Sequence, residues 1–122
     1  MKKILIIEDE AALQKTIGDV LKQEKYRIVS AMDGEAGVKA AQAEKPDLIL
    51  LDLVLPKMHG FEVLKTLKAD EATKDIAIIV LTNLESMGDI EKALEMGATT
   101  YLVKASYTLE EVVQKIKKTL GE

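Results

Sequence analysis

Cysteine is absent from the sequence, so the chain can form neither a disulfide framework nor a metal site with thiolate ligands. Long hydrophobic runs are also absent. The uninterrupted apolar segments are only as long as a β-strand, whereas a membrane span needs about 20 apolar residues. The N-terminus lacks the apolar core and the small residues of a signal peptide. These absences exclude a disulfide-rich secreted protein, and they predict a cytoplasmic protein that does not enter a membrane.

Positive charge is also in short supply. The net charge is -4, and Arg27 is the only arginine among the 17 basic residues. Nucleic-acid binding depends on concentrated positive charge, and arginine supplies the paired N–H donors that recognise phosphates and base edges. We therefore expect no direct binding to nucleic acid.

The composition is that of an ordinary globular domain, with 48% hydrophobic and 31% charged residues. A chain of 122 residues is close to the usual size of one domain. Residues 1–122 are therefore expected to form a single domain, with no room for a second one.

Five short segments rich in apolar and β-branched residues are predicted to be strands. They are residues 3–7, 27–31, 48–51, 76–81 and 101–103. The segments 4–7 and 48–51 show no alternation with polar residues, which is typical of parallel strands that are covered on both faces. The sequence therefore indicates a parallel sheet rather than antiparallel hairpins.

Helical periodicity fills the stretches between the strands. Two middle helices are predicted from about residue 34 to 43 and from 60 to 69. Ser86 and Thr108 each precede an acidic residue by three positions, which is the spacing of a helix N-cap. Strand and helix thus alternate five times, so we predict a doubly wound α/β domain with a five-stranded parallel sheet and five helices.

Polar side chains follow four of the five predicted strands. They are Glu8, Asp9 and Glu10 after strand one, Asp52 after strand three, Thr82 after strand four and Lys104 after strand five. Ligands of doubly wound sheets bind outside the carboxyl ends of the strands. The sequence therefore predicts a polar site at this edge.

A divalent metal ion is expected at this site. If strands one and three are neighbours, as in the strand order 2-1-3-4-5, the ionised carboxylates of Asp9 and Asp52 repel each other unless a cation lies between them. Mg²⁺ prefers carboxylate oxygens together with retained waters and a phosphate oxygen. A carboxylate beside Mg²⁺ can attack phosphorus, with Lys104 and Thr82 placed to stabilise the charge on the phosphoryl oxygens.

With these residues in this order, the whole chain resembles the receiver domain of the response regulators of bacterial two-component systems. Glu8 and Asp9 match the acidic pair after strand one, and Asp52 matches the phosphoacceptor. Thr82 and Lys104 match the hydroxyl residue and the lysine of the family. The resemblance implies the flavodoxin-like fold with strand order 2-1-3-4-5, and we expect residues 1–122 to hold the receiver domain without an output domain.

The resemblance also implies roles for individual residues. Asp9 and Asp52 would bind Mg²⁺ directly, Glu8 would bind it through water, and the backbone carbonyl of Val54 would complete the protein ligands. Asp52 would accept a phosphoryl group from a sensor histidine kinase or a phosphotransfer protein. Such a domain is no enzyme acting on other substrates, although it catalyses its own phosphorylation and dephosphorylation.

The same resemblance implies a conformational output. Thr82 would move toward the phosphoryl group, and the aromatic ring of Tyr101 would turn inward behind it. The surface of helix four, strand five and helix five would then change shape and alter the binding of a downstream protein target.

Two departures from the family pattern have consequences. Ala105 replaces the usual proline after the lysine, so the Lys104–Ala105 peptide bond is open to either isomer, and a cis bond without proline would cost about 3 kcal/mol. Asn83 replaces a smaller residue after Thr82, and it could narrow access to the phosphoryl group or donate a hydrogen bond to it.

Two other functions stay open at this point. A flavin or nucleotide binder can share the fold, but Glu8, Asp9 and Glu10 would repel a phosphate where its binding loop should lie. A degenerate receiver that serves only as a docking module needs no phosphorylation. His59, the only histidine, has no visible partner in the sequence and is expected to be a surface residue.

Overall fold

A computed structural model describes residues 1–122 as five strands and five α-helices in alternation. The strands are β1 (Lys3–Ile7), β2 (Arg27–Ala31), β3 (Leu48–Leu51), β4 (Ala77–Thr82) and β5 (Thr100–Val103). The helices are α1 (Ala11–Gln23), α2 (Gly34–Glu44), α3 (Gly60–Ala69), α4 (Met87–Glu95) and α5 (Leu109–Thr119). A short 3₁₀ helix, Lys104–Ser106, follows β5.

The strands form one parallel sheet in the order β2-β1-β3-β4-β5. The predicted fold class, strand order and helix count are therefore confirmed. The bounds of two strands differ slightly from the prediction, because β4 spans Ala77–Thr82 instead of 76–81 and β5 begins at Thr100.

Each face of the sheet is covered by a separate apolar layer, because successive side chains of a strand point to opposite faces. Leu5 and Ile7 of β1 pack with α2, α3 and α4, whereas Ile4 and Ile6 pack with α1 and α5. All four of these side chains are buried. This two-sided burial explains why the strand segments show no polar alternation.

Side-chain caps begin the last two helices where the sequence predicted them. The Ser86 hydroxyl accepts a hydrogen bond from the Asp89 backbone N–H at 3.1 Å. Thr108 forms a reciprocal capping box with Glu111, in which each side chain accepts from the other residue's backbone N–H. These caps determine where the chain leaves the loops that follow β4 and β5.

The backbone contains no cis peptide bond, so the Lys104–Ala105 bond is trans. None of the helices combines the length and the apolar composition that crossing a membrane requires.

Candidate functional site

The parallel register brings the residues after β1 and β3 side by side. Ile7 pairs with Leu51, and the Asp52 backbone N–H donates to the Ile7 carbonyl at 3.0 Å. The Glu8 N–H continues the pairing with β2 by donating to the Ala31 carbonyl at 3.0 Å. Glu8 and Asp52 are therefore held by sheet hydrogen bonds rather than by a mobile loop.

Three carboxylates meet at this edge of the sheet. One oxygen from each of Glu8, Asp9 and Asp52 lies within 4.8 Å of the others. Glu8 and Asp52 are only 3% and 6% exposed, whereas Asp9 is exposed. The structure thus brings together the three acidic side chains that the sequence predicted to form a metal site.

Lys104 is the cation that two of these carboxylates share. Its Nζ lies 2.7 Å from Glu8 Oε1 and 2.8 Å from Asp52 Oδ2. Burial lowers the pKa of Lys104, but the hydrogen bonds to Asp52 and Glu8 outweigh burial and raise the pKa above its usual value. The lysine is therefore a fixed positive charge at neutral pH.

Glu8 is the least exposed acid of the group. Burial raises its pKa above the usual value, and the nearby charge of Asp52 raises it further, although hydrogen bonds from Lys104 and Glu10 oppose this shift. One ammonium therefore faces three carboxylates, and the site carries an excess of negative charge that attracts a further cation.

Backbone N–H groups hold the remaining oxygens of the two buried acids. The Val54 N–H donates to Asp52 Oδ1 at 3.1 Å, and the Glu10 N–H donates to Glu8 Oε2 at 3.0 Å. Each buried carboxylate thus has one oxygen on Lys104 and the other on the backbone two residues later. This arrangement fixes the direction of both carboxylates before any ligand binds.

An open cleft of about 500 Å³ lies above these acids. Its lining consists of Glu8, Asp9, Glu10, Asp52, Val54, Asn83 and Lys104. Asn83 is exposed, so it stands where it can contact a group bound in the cleft. Val54 also reaches the cleft, with a side chain that is exposed to solvent.

Thr82 and Tyr101 do not line the cleft, and they are joined through one loop residue. Thr82 is completely buried, and its hydroxyl oxygen accepts a hydrogen bond from the Leu84 N–H at 3.4 Å. The Tyr101 hydroxyl donates to the Leu84 carbonyl at 2.8 Å. Burial raises the pKa of Tyr101, with smaller contributions from the charges of Asp89 and Asp52. Leu84 therefore connects the two predicted switch residues.

Sequence reasoning missed the role of Gln14 and a partner of His59. Gln14 is buried directly beneath the end of β1, where its amide donates to backbone carbonyls. His59 is exposed as expected, but its Nδ1 accepts from the Phe61 N–H at the start of α3, and the two rings stack 5.5 Å apart. Neither contact has a signal in the sequence pattern, because the partners are backbone groups or a nearby ring.

Comparison with known proteins agrees with this geometry. The family model described as the response regulator receiver domain matches residues 4–117. The chain is 38% identical over 120 residues to the DNA-binding dual master transcriptional regulator RpaA of Synechocystis, covering 98% of this chain and 49% of that protein. It is 37% identical to the alkaline phosphatase synthesis transcriptional regulatory protein PhoP of Bacillus subtilis, covering 98% and 48%. The chain thus spans about half the length of the curated relatives it matches.

Solved structures show the same fold. The receiver domain of the sensor histidine kinase PA1611 of Pseudomonas aeruginosa superposes with a TM-score of 0.88 at 30% identity, and the match covers 99% of this chain and 98% of that one. That structure is described with a magnesium ion coordinated in its active-site cleft. On the family match, the sequence identity to the relatives and the shared fold, this chain belongs to the response regulator receiver domain family.

Proposed function

We propose that this receiver domain is a signalling switch that accepts a phosphoryl group on Asp52 in a Mg²⁺-dependent reaction. The observation that carries the proposal is the environment of the Asp52 carboxylate. One oxygen is held by the Val54 N–H, the other contacts Lys104, and the carboxylates of Glu8 and Asp9 lie beside it. A buried acid so arranged is oriented as a nucleophile rather than neutralised in a simple ion pair.

The donor set fits a magnesium ion. Three clustered carboxylates present hard oxygen ligands, and a single ammonium leaves negative charge for a divalent cation to neutralise. The Asp9 side chain is exposed and lines the cleft, so its oxygens are accessible to an ion. Asp9 and Asp52 would bind the ion directly, Glu8 would bind it through water, and the carbonyl of Val54 would complete the protein ligands. When bound, Mg²⁺ reduces the repulsion between an anionic nucleophile and an anionic phosphoryl donor.

The chain's own residues then account for the transfer. An oxygen of the Asp52 carboxylate attacks the phosphorus of the donor and forms an acyl phosphate. The bond from phosphorus to the donor's nitrogen or oxygen breaks, and its electron pair leaves with the donor group. Lys104 supplies a fixed positive charge for the phosphoryl oxygens, while the Val54 N–H keeps the carboxylate oriented.

The proposed donor is a sensor histidine kinase or a phosphotransfer protein, and the proposed output is altered binding of a downstream protein. Thr82, Leu84 and Tyr101 offer the connection, because a movement of the Thr82 hydroxyl would disturb the loop that also binds the Tyr101 hydroxyl. Tyr101 lies in β5, between α4 and α5. We propose that the surface of α4, β5 and α5 responds, and that the protein acts in the cytoplasm without binding nucleic acid through this domain.

The two other functions remain outcomes of the test. The acidic lining of the cleft does not favour a flavin or nucleotide phosphate in the absence of a metal ion. A docking module that is not phosphorylated would not need the contact between Lys104 and Asp52.

Intact mass after incubation with acetyl phosphate tests the proposal. We expect one phosphoryl group per chain with Mg²⁺, little without it, and none in Asp52→Asn. Asp47→Asn is the matched control, since Asp47 lies at the opposite edge of the sheet, where its carboxylate accepts from the Lys3 N–H. An unmodified wild-type protein that nevertheless binds partners would favour the docking module, and labelling of Asp52→Asn would contradict the assignment of the phosphoacceptor.

A further inference from the structure

Gln14 makes an unusual set of contacts for a helix residue. Its side-chain Nε2 donates two N–H groups, which three backbone carbonyls share: those of Ile6 at 3.0 Å, Ala31 at 3.1 Å and Glu8 at 3.3 Å. The residue is only 7% exposed, so these bonds form away from solvent. One amide of α1 thus links the end of β1 to the end of β2. We call these hydrogen bonds from Gln14 to Ile6, Glu8 and Ala31 the clasp.

The same side chain leaves its acceptor unused. Gln14 Oε1 is the only buried side-chain nitrogen or oxygen in the structure that has no hydrogen-bond partner. Buried polar atoms are normally paired because an unpaired one loses its bonds to water without replacement. The residue therefore acts here through its N–H donors, and its carbonyl contributes nothing to the arrangement.

The three carbonyls lie directly behind the acid cluster. Glu8 belongs to the cluster, and its carbonyl is one of the three acceptors. The Ala31 carbonyl accepts from both the Gln14 amide and the Glu8 N–H. Gln14 therefore contacts the same backbone carbonyl that holds the N–H of Glu8. Beyond it, the Glu10 N–H bonds Glu8 Oε2 and closes the turn into α1. The backbone from which Glu8 and Asp9 project is consequently held from beneath by Gln14.

From these contacts we infer that Gln14 is a positioning residue, which holds the turn between β1 and α1 so that the carboxylates of Glu8, Asp9 and Asp52 converge on one cation. This inference rests on the proposed function. It adds a residue that touches neither the cation nor the phosphoryl group. Without the clasp, the turn samples conformations in which the three acids diverge, and the apparent metal affinity falls with the fraction of molecules that keep them together.

The test is a Mg²⁺ titration followed by the backbone amide signals of Asp9, Glu10, Val54 and Asn83, which line the cleft. Gln14→Met removes the amide while keeping a side chain of similar length. We expect its dissociation constant for Mg²⁺ to rise on the order of tenfold, as for other residues that orient metal ligands. Gln14→Asn is a milder variant that serves if Gln14→Met does not fold.

Thr73→Val is the matched control for lost stability. Thr73 is 1% exposed, and its hydroxyl donates to the Leu67 carbonyl at 2.7 Å, so the variant also removes a buried bond to the backbone. Thr73 lies in the loop before β4, away from the cleft. We expect this variant to lose thermal stability while keeping the Mg²⁺ affinity of the wild type.

Amide hydrogen exchange in metal-free protein separates this inference from the proposed function. We expect Gln14→Met to accelerate exchange at Glu8 and Glu10 relative to Thr73→Val. Wild-type protein that shows this protection but binds no Mg²⁺ would contradict the proposed function and leave the clasp supported. If Gln14→Met binds Mg²⁺ like the wild type while its melting temperature falls, Gln14 is only structural and the inference is overturned.

Discussion

The two edges of the sheet pair their polar side chains with different partners. At the edge where the strands begin, the side chains of Asp47, Thr73 and Lys68 all form hydrogen bonds with backbone groups. The Lys3 N–H donates to Asp47, Thr73 donates to the Leu67 carbonyl, and Lys68 donates to the carbonyls of Lys74 and Ile76. At the edge where the strands end, two buried carboxylates share a single ammonium, and a third lies within 4.8 Å.

This difference distinguishes contacts that stabilise the fold from contacts that arrange the functional site. The contacts at the first edge connect loops to strands and bring no carboxylates together. The contacts at the second edge concentrate negative charge, which disfavours folding unless a cation arrives. An arrangement of side chains that lowers the stability of the fold is typical of functional sites. Substitutions at the two edges should therefore differ in how they respond to metal ions.

The largest expected difference is between two partly buried lysines, Lys104 and Lys68. Lys104→Met leaves Glu8 and Asp52 without their counter-ion, so we expect the free energy of unfolding at neutral pH to fall by about 3 kcal/mol. Lys68→Met removes hydrogen bonds to two carbonyls, and we expect a loss of about 1 kcal/mol. Urea denaturation with and without Mg²⁺ measures both.

The metal response distinguishes these variants further. Mg²⁺ should restore part of the stability lost in Lys104→Met, because it binds the folded acids and neutralises them. It should have no greater effect on Lys68→Met than on the wild type. Equal losses in the two variants, or the same metal response, would remove the distinction between the edges.

Backbone packing provides a second comparison, for which we expect a smaller change in stability. A Cβ at Gly60 would lie 2.3 Å from Leu53 Cα and 2.7 Å from the Asp52 carbonyl oxygen, so Gly60→Ala must displace the segment that carries the site. We expect a loss of about 2 kcal/mol, by overpacking, and weaker Mg²⁺ binding. Thermal unfolding and a metal titration would detect these two effects.

Gly88→Ala is the matched control for that substitution. No atom lies within 4 Å of the added Cβ, and Gly88 lies within α4. This variant should gain about 0.5 kcal/mol from its lower conformational entropy when unfolded, with unchanged metal affinity. A tolerated Gly60→Ala with normal Mg²⁺ binding would show that the segment after β3 does not position the site.

These comparisons also show what the sequence can predict. The parallel sheet and its two covered faces followed from the apolar segments 4–7 and 48–51, which lack polar alternation because they are buried on both sides. The strand order followed from the resemblance to the receiver family. The errors were one residue at β4 and β5, where Ile76 and Thr100 lie at the boundary between loop and strand. The 3₁₀ turn at Lys104–Ser106 was not predicted, since so short a segment has no periodicity.

The site residues that directly follow strands could be predicted from the sequence. Residues whose partners are backbone groups were harder to predict. Glu8, Asp9, Asp52 and Lys104 converge as the strand ends suggested. The complete burial of Thr82 was not foreseen, nor was the clasp of Gln14. A glutamine on α1 resembles a surface residue in sequence, and its three acceptors are carbonyls that no residue type reveals.

The smallest predicted effect concerns pH and lies far from the cleft. Tyr26 is buried and its hydroxyl donates to the Glu122 carboxylate. Burial, followed by this hydrogen bond, raises the pKa of Tyr26 to about 12. Because the folded state holds the proton more tightly, the stabilisation is complete below about pH 10 and is lost as the pH rises toward 12.

Tyr26→Phe isolates this contribution. The variant should show a shallower decline of stability above about pH 10 than the wild type, measured by urea denaturation across that range. It should bind Mg²⁺ normally at neutral pH. Identical pH profiles for the two proteins would mean that Tyr26 keeps an ordinary pKa in the folded state.

Locating the phosphoryl group is the most direct test of the central claim. Wild-type protein would be incubated with acetyl phosphate and Mg²⁺, and then reduced with borohydride, which converts an acyl phosphate on aspartate to homoserine. Peptide mass analysis should find homoserine at residue 52 alone, in an amount that depends on Mg²⁺. Homoserine at Asp9 or at another aspartate, with residue 52 unchanged, would contradict the assignment of Asp52 as the phosphoacceptor.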